Sequence, residues 1–257
     1  MKRNELITPQ IIAASLALLF SNSLAAAKPN TLTPEETAAG WKLLFDGHSL
    51  TGWHIFQGKS PAPTSWHVED GGLVNPKGNG RPNGSGGDLV TDGKYHDFEF
   101  RFEWRISPAG NSGIQYFIDE PRKRTARMYR GDTGHSPIGF EYQLLDDKKH
   151  PDAKRGPTHM AGALYDLIPA VNKTLKPVGE FNEGRIIVSG QHVEHWLNGS
   201  KVAECDLDTD TFREAFAKSK FHVISDFGKK TKTSIALQDH GFAVAFRNLK
   251  IRELHPK

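Results

Sequence analysis

The nine residues Phe98-Glu99-Phe100-Arg101-Phe102-Glu103-Trp104-Arg105-Ile106 alternate without a break between large apolar and charged side chains. A strand turns successive side chains to opposite faces, so this stretch reads as a β-strand with one face buried and one wet. Shorter segments of the same kind lie on either side of it: 66–74, 113–118, 139–145, 185–188, 193–197, 201–205, 221–225, 235–238 and 244–252. Asp70-Gly71-Gly72, Ser189-Gly190-Gln191 and Asn198-Gly199 separate several of them. Asn198-Gly199 predicts a tight hairpin, because both residues tolerate the positive φ that a primed turn requires. One short helix is expected near 210–217. Many short strands at hairpin spacing and one short helix define an all-β chain, an antiparallel β-sandwich of jelly-roll type. A parallel α/β sheet would need more helices.

Composition agrees with a packed globular domain. Of 257 residues, 37% are hydrophobic and 25% charged, with 25 Gly and 15 Pro. Collagen-like, coiled-coil and fully disordered chains are excluded. Lys+Arg at 33 against Asp+Glu at 30 leaves a net charge of +3, which argues against a dedicated nucleic-acid binder. Cys205 is the single cysteine, so neither an internal disulfide nor a Cys-rich zinc site is available, and it is expected to pack as a small hydrophobe.

Lys2 and Arg3 precede an apolar run from Ile11 to Phe20, followed by Ser23-Leu24-Ala25-Ala26-Ala27. Residues 1–27 read as a secretory signal peptide, since the run is far shorter than the roughly 20 residues of a membrane-spanning helix. Residues 28–39 read as a leader, with Thr33 capping a short helical turn that Pro34 opens. Residues 40–257 then form one domain, exported to the periplasm or beyond, with no membrane span. Two irregular stretches, 76–87 and the basic 119–137 with Arg122 to Arg130, are either binding edges or solvated insertions. The glycines of the first follow no phosphate-loop pattern, so no nucleotide cofactor is expected.

Candidate chemistry begins at Gly139-Phe140-Glu141-Tyr142-Gln143-Leu144-Leu145-Asp146. Alternation puts Phe140, Tyr142 and Leu144 on the core side and Glu141 with Gln143 on the other. If the sandwich curves, that second face is the floor of a groove, where a carboxylate beside an amide suits a polyol; otherwise it is a solvated outer face. The spacing Glu141-x-Gln143-x-x-Asp146 is similar to the carboxylate strand of jelly-roll glucanases, but Gln143 cannot be a second acid. Glycoside hydrolysis by the usual route needs two carboxyl groups, about 5–5.5 Å or about 6.5–9.5 Å apart; Glu141 and Asp146 would form a wide pair only if a bulge turned Asp146 inward, so that route is disfavoured.

A hairpin return through 158–166 would bring His159 and Tyr165 toward Glu141, where either is suited to acid–base work or to a sugar hydroxyl. Near the C terminus, Gln238-Asp239-His240-Gly241 and Phe246-Arg247-Asn248 form a polar cluster between strands. Asp239 either orients the His240 imidazole, ligates a metal or closes an Asx turn; Arg247 is either an anion clamp or a structural partner of a carboxylate. His135, His150, His159 and His240 lie in loops with Asp residues, but without H-E-x-x-H or EF-hand spacing the case for a divalent metal is weak.

Taken in order, Gly40-Trp41-Lys42-Leu43-Leu44-Phe45-Asp46-Gly47, Leu50-Thr51-Gly52-Trp53, Trp66-His67-Val68-Glu69-Asp70-Gly71, Asn111-Ser112-Gly113-Ile114, Gly139 to Gln143, Gly162-Ala163-Leu164-Tyr165, Trp196-Leu197-Asn198-Gly199 and Gln238 to Gly241 resemble the 3-keto-disaccharide hydrolase family. The resemblance runs from about Gly40 to Leu254. It implies a concanavalin A-like jelly roll, exported, acting on glycosides already oxidised to the ketone at C3, and a partner oxidoreductase that makes the ketone. The chain departs from the shorter pattern at Arg122 to Arg130 and at Phe181-Asn182, where Trp-Asn is common.

A C3 ketone acidifies the C2 hydrogen, so one base and one oxyanion stabiliser suffice for loss of the C1 substituent and re-addition of water. On this reading Glu141 is the base or a metal-ligating carboxylate. His159, Tyr165, Arg247 or a bound cation stabilises the enolate, and Asn111 and Gln143 hold hydroxyls, with Asp146, Gln238, Asp239 and His240 also lining the site. The competing reading is a non-catalytic sugar-binding module with Trp53, Trp66 and Tyr116 as stacking platforms. A scaffold role ranks third.

Overall fold

The computed structural model describes residues 28–58, 64–81, 86–118, 120, 136–224 and 227–255. The signal peptide reading, residues 82–85 of the glycine-rich stretch and the basic run Arg122 to Arg130 lie outside the described residues. The strands are β1 (Lys42–Leu43), β2 (Trp53–Ile55), β3 (His67–Glu69), β4 (Gly72–Asn75), β5 (Leu89–Thr91), β6 (Phe98–Ile106), β7 (Asn111–Tyr116) and β8 (Phe140–Leu145). They continue as β9 (Asn182–Ser189), β10 (His192–Leu197), β11 (Ser200–Asp206), β12 (Ala236–Leu237) and β13 (Val244–Glu253). Two α-helices, α1 (Pro34–Ala38) and α2 (Asp210–Lys218), and three short 3-10 turns complete the described chain. Thr33 caps α1 in a reciprocal box with Glu36, and Pro34 occupies its first turn.

All pairings are antiparallel. An eight-stranded sheet runs β11-β10-β9-β6-β13-β4-β3, with β1 added on β13, and a five-stranded sheet runs β2-β5-β12-β7-β8. The two pack face to face as a jelly-roll sandwich. Strand β6 lies inside the larger sheet between β9 and β13, and its apolar side supplies Phe98, Phe100, Phe102, Trp104 and Ile106 to the core. Phe98 meets Tyr116 of β7 edge-on at 6.1 Å, and Phe102 meets Tyr142 of β8 at 5.2 Å with the rings perpendicular. Each such side chain stabilises the fold by roughly 1.5–3 kcal/mol through burial, and the edge-to-face geometry adds about 1 kcal/mol.

The hairpin forms as expected: Asn198 and Gly199 take φ of 47° and 82° between β10 and β11. The strand expected at 221–225 does not. Residues Lys220–Val223 form a 3-10 turn, because the Ser219 hydroxyl accepts the Phe221 N–H and turns the chain. Phe221 then lies flat on Phe227 at 4.1 Å instead of alternating across a sheet. Strands β1, β2 and β5 are of two or three residues, below the length at which alternation is recognisable. Cys205 packs against the main core, as a small hydrophobe should.

Register in the smaller sheet builds the site. Gln115 pairs with Glu141, Gly113 with Gln143, and Ala236 with both Gln115 and Val90. Paired residues point the same way, so Glu141, Gln143, Gly113 and Gln115 share the face turned away from the core.

Candidate active site

Strand β8 is buried on both faces. Phe140, Tyr142 and Leu144 enter the core, while Glu141, 8% exposed, and Gln143, 1% exposed, lie on the opposite side under covering chain. The solvated outer face is therefore not what forms. The chain after β8 returns alongside it: Gln143 donates its N–H to Ala163 and accepts one from Gly162, and the Tyr165 N–H donates to the Glu141 carbonyl at 2.9 Å. That return sets His159 and Tyr165 beside the strand, with their rings edge-to-face at 4.9 Å.

The Glu141 carboxylate accepts from the side-chain amides of Gln115 at 3.4 Å and Gln238 at 3.3 Å. Burial pushes its carboxyl up to about 7, against the downward pull of the Lys220 ammonium and the two amides; the Asp152 charge adds to the rise. A carboxyl poised there can exchange a proton near neutrality. Around it, Asn111 Oδ1, Gln115 Oε1, Gln143 Oε1 and Gln238 Oε1 are buried without a hydrogen-bond partner among the described residues. Four orphaned amide oxygens beside one carboxyl mark a place built for a ligand rich in hydroxyl donors.

Lys220, Asp152, Arg155 and Gln115 complete this setting, and none was singled out from the sequence. Lys220 opens the 3-10 turn after α2, with its backbone N–H on Asp166 Oδ2 at 2.6 Å and its ammonium 4.5 Å from the centre of the Tyr165 ring. Burial lowers its pKa, while the charges of Glu141 and Asp166 oppose that shift. The Tyr165 hydroxyl donates to Asp152 at 3.0 Å and accepts from Arg155 at 3.3 Å. Gln115 was within reach of strand alternation; the other three arrive by loop closure and leave no local periodic signal.

Several expected site residues have other occupations. His159 Nε2 faces Asp166 at 3.0 Å, and its Nδ1 faces the Thr158 hydroxyl at 3.1 Å. Asp146 holds backbone N–H groups of Ala109, Lys148 and Lys149, which makes it a loop anchor instead of a second acid or a sugar ligand. Asp239 closes the Asx turn: its two oxygens accept from Gly241 at 2.9 Å and Gly87 at 3.0 Å, so it neither orients His240 nor reaches for a sugar. The His240 ring stacks near Phe242 and meets His150 edge-on at 6.3 Å, and its Nδ1 is buried without a partner among the described residues. Burial lowers the pKa of both imidazoles.

Arg247 is not an anion clamp for the enolate. It belongs to β13 of the other sheet, bonds Glu103 at 2.7 Å and lies 3.9 Å over the Phe181 ring, on the far side of the sandwich from Glu141. The platforms expected of a lectin-like module are also absent from the surface, since Trp53, Trp66 and Tyr116 are core residues.

Among the described residues, the one group of three His or carboxylate side chains close enough to share a metal is His192, Glu194 and Glu204. It lies on β10 and β11 at the edge of the larger sheet, where Lys201 already bridges the two glutamates. His135 lies outside the described residues. A groove of about 320 Å³ over the outer face of the larger sheet is likewise remote, and its Glu103 and Lys250 are paired with Arg247 and Glu36.

A jelly-roll sandwich in which the buried Glu141 carboxyl lies among amide side chains beside aromatic rings fits the class of carbohydrate-active proteins. The 3-keto-alpha-glucoside-1,2-lyase-like domain matches residues 40–252 of this chain. The chain is 36% identical over 259 residues to a 3-keto-disaccharide hydrolase of Bacteroides thetaiotaomicron, covering 94% of this chain and 88% of that one. It superimposes with a TM-score of 0.74 and 32% identity on a Parabacteroides distasonis protein described as a glycosyl hydrolase, covering 89% of this chain and all of that one. A second protein of that organism, described in the same terms, gives a TM-score of 0.56 and 27% identity over 83% of this chain and 99% of its own. The chain belongs to the 3-keto-alpha-glucoside-1,2-lyase-like family and is a carbohydrate-active enzyme of the hydrolase or lyase kind.

Proposed function

We propose that the protein cleaves 3-keto-glycosides, 3-keto-disaccharides among them, by elimination followed by hydration, with Glu141 as the base. The carboxyl takes the C2 proton made acidic by the C3 ketone, and the electron pair enters a C2–C3 enolate. Collapse of the enolate restores the ketone, forms the C1–C2 double bond and breaks the bond from C1 to the aglycone oxygen, which leaves as an alcohol once protonated. Water then adds, its oxygen to C1 and a proton to C2. The sum is glycoside plus water giving a 3-keto sugar and an alcohol, with no external oxidant or reductant.

One observation carries this reading: Glu141 is the carboxyl at the site whose side-chain hydrogen-bond partners are neutral amides. Asp146 is held by backbone N–H groups, Asp152 by Tyr165 and Arg155, and Asp166 by His159 and the Lys220 N–H; Asp88 takes the Asp239 N–H on one oxygen and keeps the other buried without a partner among the described residues, and burial raises its pKa. A carboxyl brought to about 7 among neutral donors suits a reaction that needs one base. The orphaned amide oxygens of Asn111 and Gln143 suit the ring hydroxyls.

The reading places the mature protein, after loss of 1–27, in the periplasm or outside the cell, downstream of an oxidoreductase that makes the C3 ketone. The test incubates purified mature protein with 3-keto-trehalose and a 3-keto-glucoside beside their unoxidised parents, with and without chelator. Cleavage confined to the keto substrates is expected. Equal cleavage of the parents, or saturable binding without cleavage of either set, overturns the proposal, and chelator sensitivity decides whether a metal takes part.

A further inference from the structure

The elimination reading leaves one charge unmatched. When the C2 proton goes to Glu141, negative charge collects on the C3 oxygen, and catalysis depends on a donor or cation placed to receive it. The side chains that sequence reasoning offered for this duty are committed elsewhere: His159 to Asp166, Tyr165 to Asp152, and Arg247 to Glu103 across the sandwich.

We propose that the Lys220 ammonium receives the oxygen of the C3 enolate, which makes Lys220 a further catalytic residue of the reaction proposed above. The inference rests on that reading. Its support is geometric. The Lys220 ammonium lies 4.5 Å from the Tyr165 ring centre and 4.9 Å from that of Phe221, so its charge rests against two aromatic faces. Tyr165 in turn is bonded through its N–H to the Glu141 carbonyl at 2.9 Å, so the ring that carries the cation is laced to the strand that carries the base. The Lys220 backbone is pinned by its N–H on Asp166 at 2.6 Å, and Ser219 fixes the turn that aims the side chain.

Electrostatics bind the two groups together. Among surrounding charges, Lys220 acts most strongly on Glu141, and Glu141 most strongly on Lys220. A base and a cation that sense each other in a largely buried site are poised for a change in which the base loses its charge as the substrate oxygen gains one. Proton transfer from C2 moves the negative charge from the Glu141 oxygen to the enolate oxygen, so the ammonium keeps a counter-charge throughout and little reorganisation is required.

The test separates enolisation from cleavage. The probe is 1,5-anhydroglucitol oxidised to the ketone at C3, which carries no exocyclic leaving group at C1, and the readout is exchange of its C2 hydrogen in deuterated water, followed by NMR. Wild-type protein is expected to catalyse the exchange. Lys220→Met is expected to lose about 10²–10³-fold in exchange rate and in kcat on 3-keto-trehalose, with KM and melting temperature little changed, and Lys220→Arg to recover part of the loss. Lys220→Gln gives the same reading, with a drop of at least about tenfold, should the Met variant fail to fold. Exchange by the Met or Gln variant within threefold of wild type overturns the assignment while leaving the cleavage reading intact. So does a borohydride-fixed adduct of the probe on Lys220, which would make the amine a nucleophile. A wild-type protein that neither exchanges the probe nor cleaves keto substrates brings down both.

Discussion

The Glu141 carboxylate fills the space that a side chain at Gly113 would need: a Cβ on Gly113 would collide with Glu141 Oε1 and lie 2.8 Å from its Cγ. Gly113 sits on β7 diagonal to Glu141 on β8 and on the same face. Its missing side chain is what lets the carboxyl lie down against the sheet between Gln115 and Gln238.

Gly113→Ala therefore tests whether the placement of that carboxyl matters. The methyl group must push the Glu141 side chain off its two amide donors, because the β7 backbone is fixed by pairing with both β8 and β12. Displacement of a reacting group by about 1 Å costs on the order of 10²-fold in rate, while overpacking at one site costs about 1–3 kcal/mol of stability. Kinetics on 3-keto-trehalose beside thermal melts decide it: a folded Gly113→Ala protein with wild-type kcat shows that the carboxyl position is immaterial.

The pH dependence of kcat/KM follows from the same group. A base must enter the reaction unprotonated, and burial has raised Glu141 to about 7, so the rate is expected to climb about tenfold per pH unit below 7 and to level off above it. The groups facing Glu141 are the amides of Gln115 and Gln238, the charges of Lys220 and Asp152, the buried Asp88 carboxyl and the Tyr165 phenol, the last two themselves pushed up chiefly by burial. Of these the amides do not titrate, and Asp152 is bonded to Arg155. A flat profile between pH 5 and 7 for the free enzyme removes Glu141 from the role of base.

Stability should move the other way. Folded Glu141 has its pKa raised from 4.5 to about 7, so the folded state holds this proton more tightly than the unfolded chain does. The associated stabilisation is full below about 4.5 and is lost as pH rises through 7. Glu141→Gln cannot ionise and escapes that loss. It should match wild type near pH 4 and exceed it at pH 8 by about 1–3 kcal/mol, the upper end set by the shift and the lower by loss of the carboxylate beside Lys220. His195, buried and pushed down to about 4, titrates alike in both proteins and cancels in the difference. Denaturant melts at the two pH values measure it, and a Gln variant less stable than wild type at pH 8 contradicts it.

Legibility in the sequence tracked the range of the forces involved. The alternation of Phe98 to Ile106 showed the central strand because a buried face leaves a period-two imprint on its own residues, and Asn198-Gly199 showed a hairpin because a two-residue turn is decided by its own φ angles. Glu141 was legible by the same rule, as the one charged residue of β8, set with Gln143 on the face opposite Phe140, Tyr142 and Leu144. Lys220 was not: its run Phe221 to Ser225 alternates like a strand, and only the Ser219 cap and the distant ring of Phe227 turn it into a 3-10 turn that faces the site. Arg247 misled for the opposite reason. Its neighbours Phe246 and Asn248 suggested a polar cluster with Gln238 and His240, but β13 crosses to the other sheet, and alternation along one strand does not say which sheet the strand joins.

Glu99 supplies a control on the opposite side of the molecule. This carboxylate, on β6, is 1% exposed and takes three guanidinium groups at once: Arg101 at 3.0 Å, Arg185 at 2.7 Å and Arg252 at 2.8 Å. Arg101 and Arg252 also lie over the Trp41 ring, at 4.4 and 5.0 Å. Glu99→Ala would leave three guanidinium groups crowded together without the carboxylate they share, two over the Trp41 ring and one over Trp196, and breaking a buried charge cluster in this way costs about 3–5 kcal/mol, less here because the arginines are partly exposed and solvent screens them. A loss of about 2–3 kcal/mol is the expected outcome. Glu99 sits on the outer face of the larger sheet, separated from Glu141 by the aromatic core, so kcat per folded molecule should stay within about twofold of wild type. Denaturation midpoints beside single-turnover rates on 3-keto-trehalose separate the two effects. A Glu99→Ala protein of wild-type stability would show that the arginines are satisfied by water, and one that is stable but inactive would move the chemistry to the larger sheet.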